Sequence, residues 1–303
     1  MSAEQRPRIL ILGANGQLGQ MLQRVFAGDG VVEALGRDRC DLADLDQVRN
    51  AVASFAPQLI LNAAAYTAVD KAESEPELAA RINAEAPGVL AEEAKKRGAL
   101  LVHYSTDYVF DGSKRGPWVE DDPTSPLNVY GATKLEGERN ILSAGGRALI
   151  FRTSWVVSAE GKNFLRTMLK LGAERDELRI VNDQYGAPTS TRAIAQGTKA
   201  VLASAGVEGA GEDTEGGVYH MTCAGETSWS GFAQAIFAAA GPSREQGWAT
   251  VTGIPGSEYP TPARRPANSV LSNEKLAARF GVSLPAWDAE MRGILKTLGV
   301  ARG

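Results

Sequence analysis

The chain has 303 residues, 44% of them hydrophobic and 22% charged, with a formal net charge of -4. That is long enough for one large domain or two sharing a cleft, and it lacks the basic excess that would point to nucleic acid or an anionic membrane surface. Its two cysteines, Cys40 and Cys223, lie far apart and outside any metal-ligand spacing, which argues against a disulfide framework or zinc site and fits a reducing cytoplasm.

The residues from Met1 to Arg8 are too polar and too few for a signal peptide, and no run is long enough to span a membrane, so a soluble, cytoplasmic protein is expected. From there the first half alternates short aliphatic runs, at 8–13, 31–36, 58–62, 100–106 and 148–154, with helical patterns at 17–27, 45–55, 76–97 and 129–143. Such alternation predicts an α/β fold with a doubly wound parallel sheet of Rossmann type. A strand near 178–182, a helix near 192–205 and a strand at 218–221 are expected to return to the same sheet. The stretch 206–217, rich in glycine and acid, reads as a mobile surface loop. Helices near 230–240, 272–279 and 287–298 then suggest a smaller C-terminal substrate-binding lobe roofing the carboxyl edge of the sheet. The division expected is residues 1–158 and about 178–222 for dinucleotide binding, with about 159–177 and 223–303 for the lobe.

The first strand runs into Gly13, Ala14, Asn15, Gly16, Gln17, Leu18 and Gly19 and then a helix. Glycines there permit a sharp turn, close approach of a pyrophosphate and tight helix packing, while the helix N-terminus supplies free amides. A glycine triplet also serves purely steric needs, but its place at the start of the alternating pattern favours dinucleotide binding. The second strand ends in Gly36 and Arg37 with no carboxylate at its tip. An acid there would read a free ribose 2′-hydroxyl, whereas arginine suits a 2′-phosphate. NADPH is therefore expected as cofactor with NADH as the alternative, a solvated surface arginine being the competing reading of Arg37. Asp41 and Leu42 would flank the adenine.

The fourth strand ends in Ser105, Thr106 and Asp107, and Tyr130 and Lys134 follow four residues apart on one helical face. A free phenol titrates near pH 10, and an ammonium about 4 Å away could lower that by roughly three units before desolvation takes some back. Thr106, Tyr130 and Lys134 are the expected catalytic set, with the threonine bonding the substrate oxygen or tuning the phenol. His103 and His220 read as packed strand residues, and no Ser-His-Asp or metal-binding set competes.

The segments Asn62 to Glu77, Tyr104 to Phe110, Pro126 to Gly131, Phe151 to Trp155, Asn182 to Thr189 and Tyr259 to Ser269 carry motifs that resemble those of the extended short-chain dehydrogenase/reductase family across essentially the whole chain. The resemblance implies reduction of the C4 ketone of dTDP-6-deoxy-L-lyxo-4-hexulose to dTDP-L-rhamnose. Together with the readings above, it gives an expected cofactor site built from Gly13, Asn15, Gly16, Gln17, Leu18, Gly19, Arg37, Asp41, Leu42, Ala63, Ala64, Ala65, Tyr66, Thr67, Tyr104, Tyr130 and Lys134. For the nucleotide-sugar substrate it implies Thr106, Asp107, Tyr130 and Trp155, with Val69 and Asp70 nearby and Arg264 and Arg265 as candidates for the diphosphate.

Relatives that dimerise through a magnesium cluster carry glutamates where this chain has Met21 and Arg192. Neither can replace a hard oxygen ligand, so no metal and a monomer or metal-free homodimer are expected. Dehydratases of the family follow the threonine with Asp-Glu, whereas Asp107 is followed here by Tyr108, which leaves elimination without its base. A sugar-nucleotide epimerase, or a regulatory subunit that binds dinucleotide without turnover, remain as alternatives.

Overall fold

The computed structural model describes residues 6–206, 216–241 and 247–302. The chain opens with β1 (Arg8–Leu12), α1 (Gln17–Phe26), β2 (Val31–Leu35), α2 (Leu45–Phe55) and β3 (Leu59–Asn62). It continues through α3 (Val69–Ala72), α4 (Pro76–Ala80), a π-helical turn at Arg81–Glu85, α5 (Ala86–Arg97), β4 (Leu100–Thr106), α6 (Val129–Ala144) and β5 (Ala148–Thr153). Then come β6 (Val156–Val157), α7 (Phe164–Glu174), β7 (Glu177–Val181), β8 (Tyr185–Gly186), β9 (Thr189–Ser190), α8 (Thr191–Ser204) and β10 (Gly217–His220). The last elements are β11 (Thr227–Ser228), α9 (Trp229–Ala239), β12 (Thr250–Ile254), α10 (Glu274–Phe280) and α11 (Trp287–Thr297).

Six parallel strands form the main sheet in the order β10-β5-β4-β3-β1-β2. Because side chains alternate along a strand, Ile9 and Ile11 of β1 enter one apolar layer with Leu22 of α1 and Ile194 of α8, while Leu10 and Leu12 enter the other with Val48 of α2 and Leu90 of α5. Both faces are thus covered, which is why these strands read as continuous apolar runs. The chain leaves β1 for β2 on one side and returns to β3 on the other, so the switch point of this Rossmann-type sheet lies at the carboxyl ends of β1 and β3.

Three expectations change. The strand placed at 178–182 does not join the main sheet: β7 pairs in parallel with β12, and Leu178 packs with Met168, Phe232, Ile236 and Met291 in a separate apolar cluster. Its alternating burial marks a one-faced strand rather than a sheet centre. The helix read as continuous over 76–97 is interrupted by the π turn. Helix α7, which the sequence reading left unassigned, is started by Asn163, whose side chain accepts from the Arg166 amide. Strand β10 does return to the sheet as expected, whereas the loop read at 206–217 lies mostly, over 207–215, outside the described residues. Among the described residues no helix is long and apolar enough to cross a membrane.

Candidate active site

A cavity of about 890 Å³ opens at the carboxyl ends of β1 to β5. At one end lies the turn from β1 into α1. Gly13 sits at φ +79°, and a β-carbon on it would stand 2.7 Å from the Ala64 backbone nitrogen. One on Gly19 would stand 2.0 Å from the Gly13 carbonyl oxygen. Only glycine fits either place, and the result is a shallow cradle where α1 begins with no side chain capping its first amides. Asn15, Gly16, Gln17 and Leu18 line this end, and Gly19 lies behind it as packing.

The cradle suits a pyrophosphate, and its neighbours suit the rest of a dinucleotide. Arg37, Asp41 and Leu42 border the same cavity, with the Arg37 guanidinium 3.2 Å from the Asp41 carboxylate and its side chain 76% exposed. That leaves a cation free to turn toward a 2′-phosphate. Ala63 to Thr67 form the opposite wall. Tyr66 is fixed there from two sides: its hydroxyl donates to Glu75 at 2.6 Å, and its backbone exchanges hydrogen bonds with the Asn83 carboxamide at 2.8 and 3.1 Å.

Tyr130, Lys134 and Thr106 converge beyond this wall. Asn128 caps α6 by accepting from the Gly131 amide at 2.8 Å. Gly131 and Gly137 let the helix close on its neighbours, since β-carbons there would stand 2.2 Å from the Tyr108 carbonyl and 2.1 Å from that of Asn83. Burial pushes the Tyr130 phenol up to about 12, with the Thr106 hydroxyl acting in the opposite direction. Lys134 is 1% exposed. Its ammonium donates to the Tyr104 carbonyl at 2.7 Å and faces His103 Nε2 at 3.0 Å, and burial brings it down to about 8 while Glu138 opposes the shift.

This corrects the expectation that the lysine would lower the phenol: its head is engaged by β4, and the tyrosine moves up rather than down. At neutral pH the phenol is protonated, the form a proton donor needs, although the upward shift in itself makes it a weaker acid. Asp107, whose Oδ1 accepts from Thr106 Oγ1 at 3.0 Å, is raised by burial to about 6 against the pull of the Ser269 and Thr106 hydroxyls. Tyr104 lines the cavity, but its hydroxyl lies 3.0 Å from that of Thr198 in the core, so its contribution to the site is the carbonyl that holds Lys134.

Trp155 enters the cavity from the loop after β5, with its backbone at φ +47° and its indole stacked on Trp229 at a centroid distance of 3.5 Å. Val69 also lines it. Asp70, Arg264 and Arg265 do not: Asp70 accepts from Arg265 at 2.9 Å, and neither partner borders the cavity.

Comparison with known proteins places the chain in a family. Residues 7–300 match the family described as the RmlD substrate binding domain. A protein of Burkholderia thailandensis named dTDP-4-dehydrorhamnose reductase is 54% identical over 92% of this chain and 95% of its own length. This chain belongs to the dTDP-4-dehydrorhamnose reductase family. The Escherichia coli K12 member is 43% identical over 96% of this chain and 97% of its own. A Bacillus anthracis member, solved in complex with NADP, superposes with a TM-score of 0.87 at 31% identity, covering 96% of this chain and 99% of that one. A Thermus thermophilus UDP-glucose 4-epimerase at 19% identity and TM-score 0.74 shares the fold.

Within the family frame several residues escaped the sequence reading. Trp229 and Tyr108 line the cavity, and the Tyr108 ring stands edge-on to Tyr130 at 5.7 Å. Beneath Thr106 runs a buried polar chain, with Ser105 donating to Glu138 at 2.5 Å and Glu138 paired with Arg152 at 2.7 Å. An aromatic directly after the Thr106-Asp107 pair was the visible signal for Tyr108. The others sit on elements distant in sequence and carried none. Met21 packs against the apolar layer under α1, and Arg192 pairs with Glu290 at 2.5 Å.

Proposed function

We propose that this chain reduces the C4 ketone of dTDP-4-dehydrorhamnose (dTDP-6-deoxy-L-lyxo-4-hexulose) to dTDP-L-rhamnose with NADPH. The observation that carries the reading is the half-buried Tyr130 phenol beside Thr106 in a cavity whose far end is a glycine cradle. When bound, the reduced dinucleotide supplies the hydride. Tyr130 gives its proton to the carbonyl oxygen as negative charge develops there, and Thr106 orients that oxygen and the phenol together. Lys134 and the backbone of residues 63–67 hold the dinucleotide, and Trp155 and Val69 bound the sugar. Residues 159–177 and 223–303, together with β7, which packs with them and not in the main sheet, serve as the substrate lobe in a cytoplasmic monomer or metal-free homodimer.

The direct test supplies the 4-keto sugar nucleotide, follows NADPH oxidation by absorbance and identifies the product. Stoichiometric dTDP-L-rhamnose supports the reading. Isomerisation of the sugar without NADPH consumption would overturn it in favour of an epimerase.

A further inference from the structure

His103 lies in the middle of β4, fully buried, directly across from Asn62 of β3. Each ring nitrogen has one neighbour: Nδ1 lies 3.0 Å from Asn62 Nδ2, and Nε2 lies 3.0 Å from Lys134 Nζ. Burial and the neighbouring lysine hold the ring well below its usual pKa. It is therefore neutral, with one donor and one acceptor nitrogen.

Asn62 decides which is which. Its carbonyl oxygen accepts the Ala64 amide at 3.2 Å. Turning the carboxamide over would set its NH₂ group against that amide, donor facing donor, in a fully buried place. The Asn62 NH₂ group thus faces Nδ1 as a donor, Nδ1 accepts, and the ring proton sits on Nε2, aimed at Lys134. We propose that His103 is a positioning residue for the reaction: held by Asn62 as the Nε2–H tautomer, it turns a donor toward Lys134 and weakens that lysine's hold on its proton.

The balance is simple. As an ammonium, Lys134 sets a hydrogen against the Nε2 hydrogen. As an amine it accepts from Nε2–H and still donates to the Tyr104 carbonyl. The other groups around the lysine are Glu138 one turn along α6, which favours the ammonium but is itself neutralised by Arg152 of β5, and Tyr130 and Asp107 toward the cavity. A lysine that releases its proton readily is a nearby source for restoring the Tyr130 phenol after each turnover. This consequence rests on the function proposed above; the tautomer itself does not.

The chain has two histidines, so ¹⁵N labelling at histidine gives two rings, distinguished by deleting one signal in His220→Gln. Long-range ¹H–¹⁵N correlation then reports which nitrogen of His103 carries the proton. Protonated Nε2 with bare Nδ1 is expected. In Asn62→Asp the carboxylate can accept from both Ala64 and Nδ1–H, so the tautomer reverses, Nε2 accepts from the ammonium, and the alkaline inflection of kcat/KM for NADPH moves up from about 8 by on the order of one unit. An Nδ1–H ring in the unaltered protein overturns the proposal, whether or not Asn62→Asp folds. So does a reversed tautomer that leaves the inflection in place. If no sugar nucleotide is reduced, the NMR result still decides the tautomer, and the proposed function fails separately.

Discussion

A β-carbon on Gly186 would stand 2.6 Å from the indole of Trp155, so the missing side chain of one residue sets the position of the other. Trp155 is held at φ +47° with its ring flat on Trp229, and has little freedom to retreat. Overpacking of this kind typically costs about 1–3 kcal/mol. Gly186→Ala is expected to turn the indole and raise KM for the sugar nucleotide roughly tenfold, about 1.4 kcal/mol, with KM for NADPH little changed. Steady-state kinetics with each substrate varied in turn reads this directly. Equal changes in both would show that the stack does not belong to the sugar end.

Removal of the Tyr130 hydroxyl tests the proton donor. Tyr130→Phe should lower kcat by about 10²- to 10⁴-fold while NADPH binding, followed by fluorescence, stays near its original strength. Because the phenol titrates only near 12, its own ionisation should leave no inflection in the rate between pH 6 and 9. Undiminished turnover by the phenylalanine variant would remove Tyr130 from the chemistry.

Arg37 is the residue on which the choice between the two dinucleotides turns. Its exposed guanidinium is restrained by Asp41 at 3.2 Å, so Arg37→Ala should raise KM for NADPH about tenfold, the order of one solvent-screened charge-assisted contact. KM for NADH should hardly move. Parallel changes for both dinucleotides would mean the arginine serves the surface.

Asp107 makes stability depend on pH in a defined direction. Its folded pKa of about 6 lies above the usual carboxylate value, so the folded protein binds more protons than the unfolded chain between about pH 4 and 6. Stability from this group is present below pH 4 and is lost as pH rises through 6. Above pH 6 the buried charge costs on the order of 3 kcal/mol, with the hydrogen bonds from Thr106 and Ser269 already counted in that shift. Asp107→Asn should therefore unfold at higher urea concentration than the unaltered protein at pH 7.5, with the difference closing by pH 4. A gap that is constant with pH would show that Asp107 is not the titrating group.

The central strands were legible because burial on both faces leaves an uninterrupted apolar run, as in Leu100 to Val102. The glycine turn was legible because Gly13 and Gly19 occupy places no other residue can enter. Tyr130 and Lys134 share a helical face and announced themselves by spacing. The same spacing gave no sign that the lysine would turn to β4, since its partners His103 and Tyr104 come from another element. His103 read as a packed strand residue for the same reason: Asn62 and Lys134 lie 41 and 31 residues away. For Arg264 and Arg265, read as candidates for the diphosphate, nothing in the sequence signalled that Arg265 would pair with Asp70, nearly 200 residues earlier. Strand β7 could have been separated from the main sheet by its alternation, exposed at Glu177 and Arg179, buried at Leu178 and partly buried at Ile180.

The π turn at Arg81–Glu85 fixes the length of the chain at that point. Its widened backbone presents Asn83, which bonds both backbone groups of Tyr66 and reaches Thr133 on α6 at 3.3 Å. The carboxamide thereby braces the cofactor wall against the helix that carries Tyr130 and Lys134. Loss of one residue here would rotate everything beyond it by about 100°, turning the apolar face of α5 off the sheet and withdrawing the brace at once. Loops elsewhere in such a protein can lengthen or shorten freely, but across these five residues the reading frame of the helix and the geometry of the active site are the same quantity.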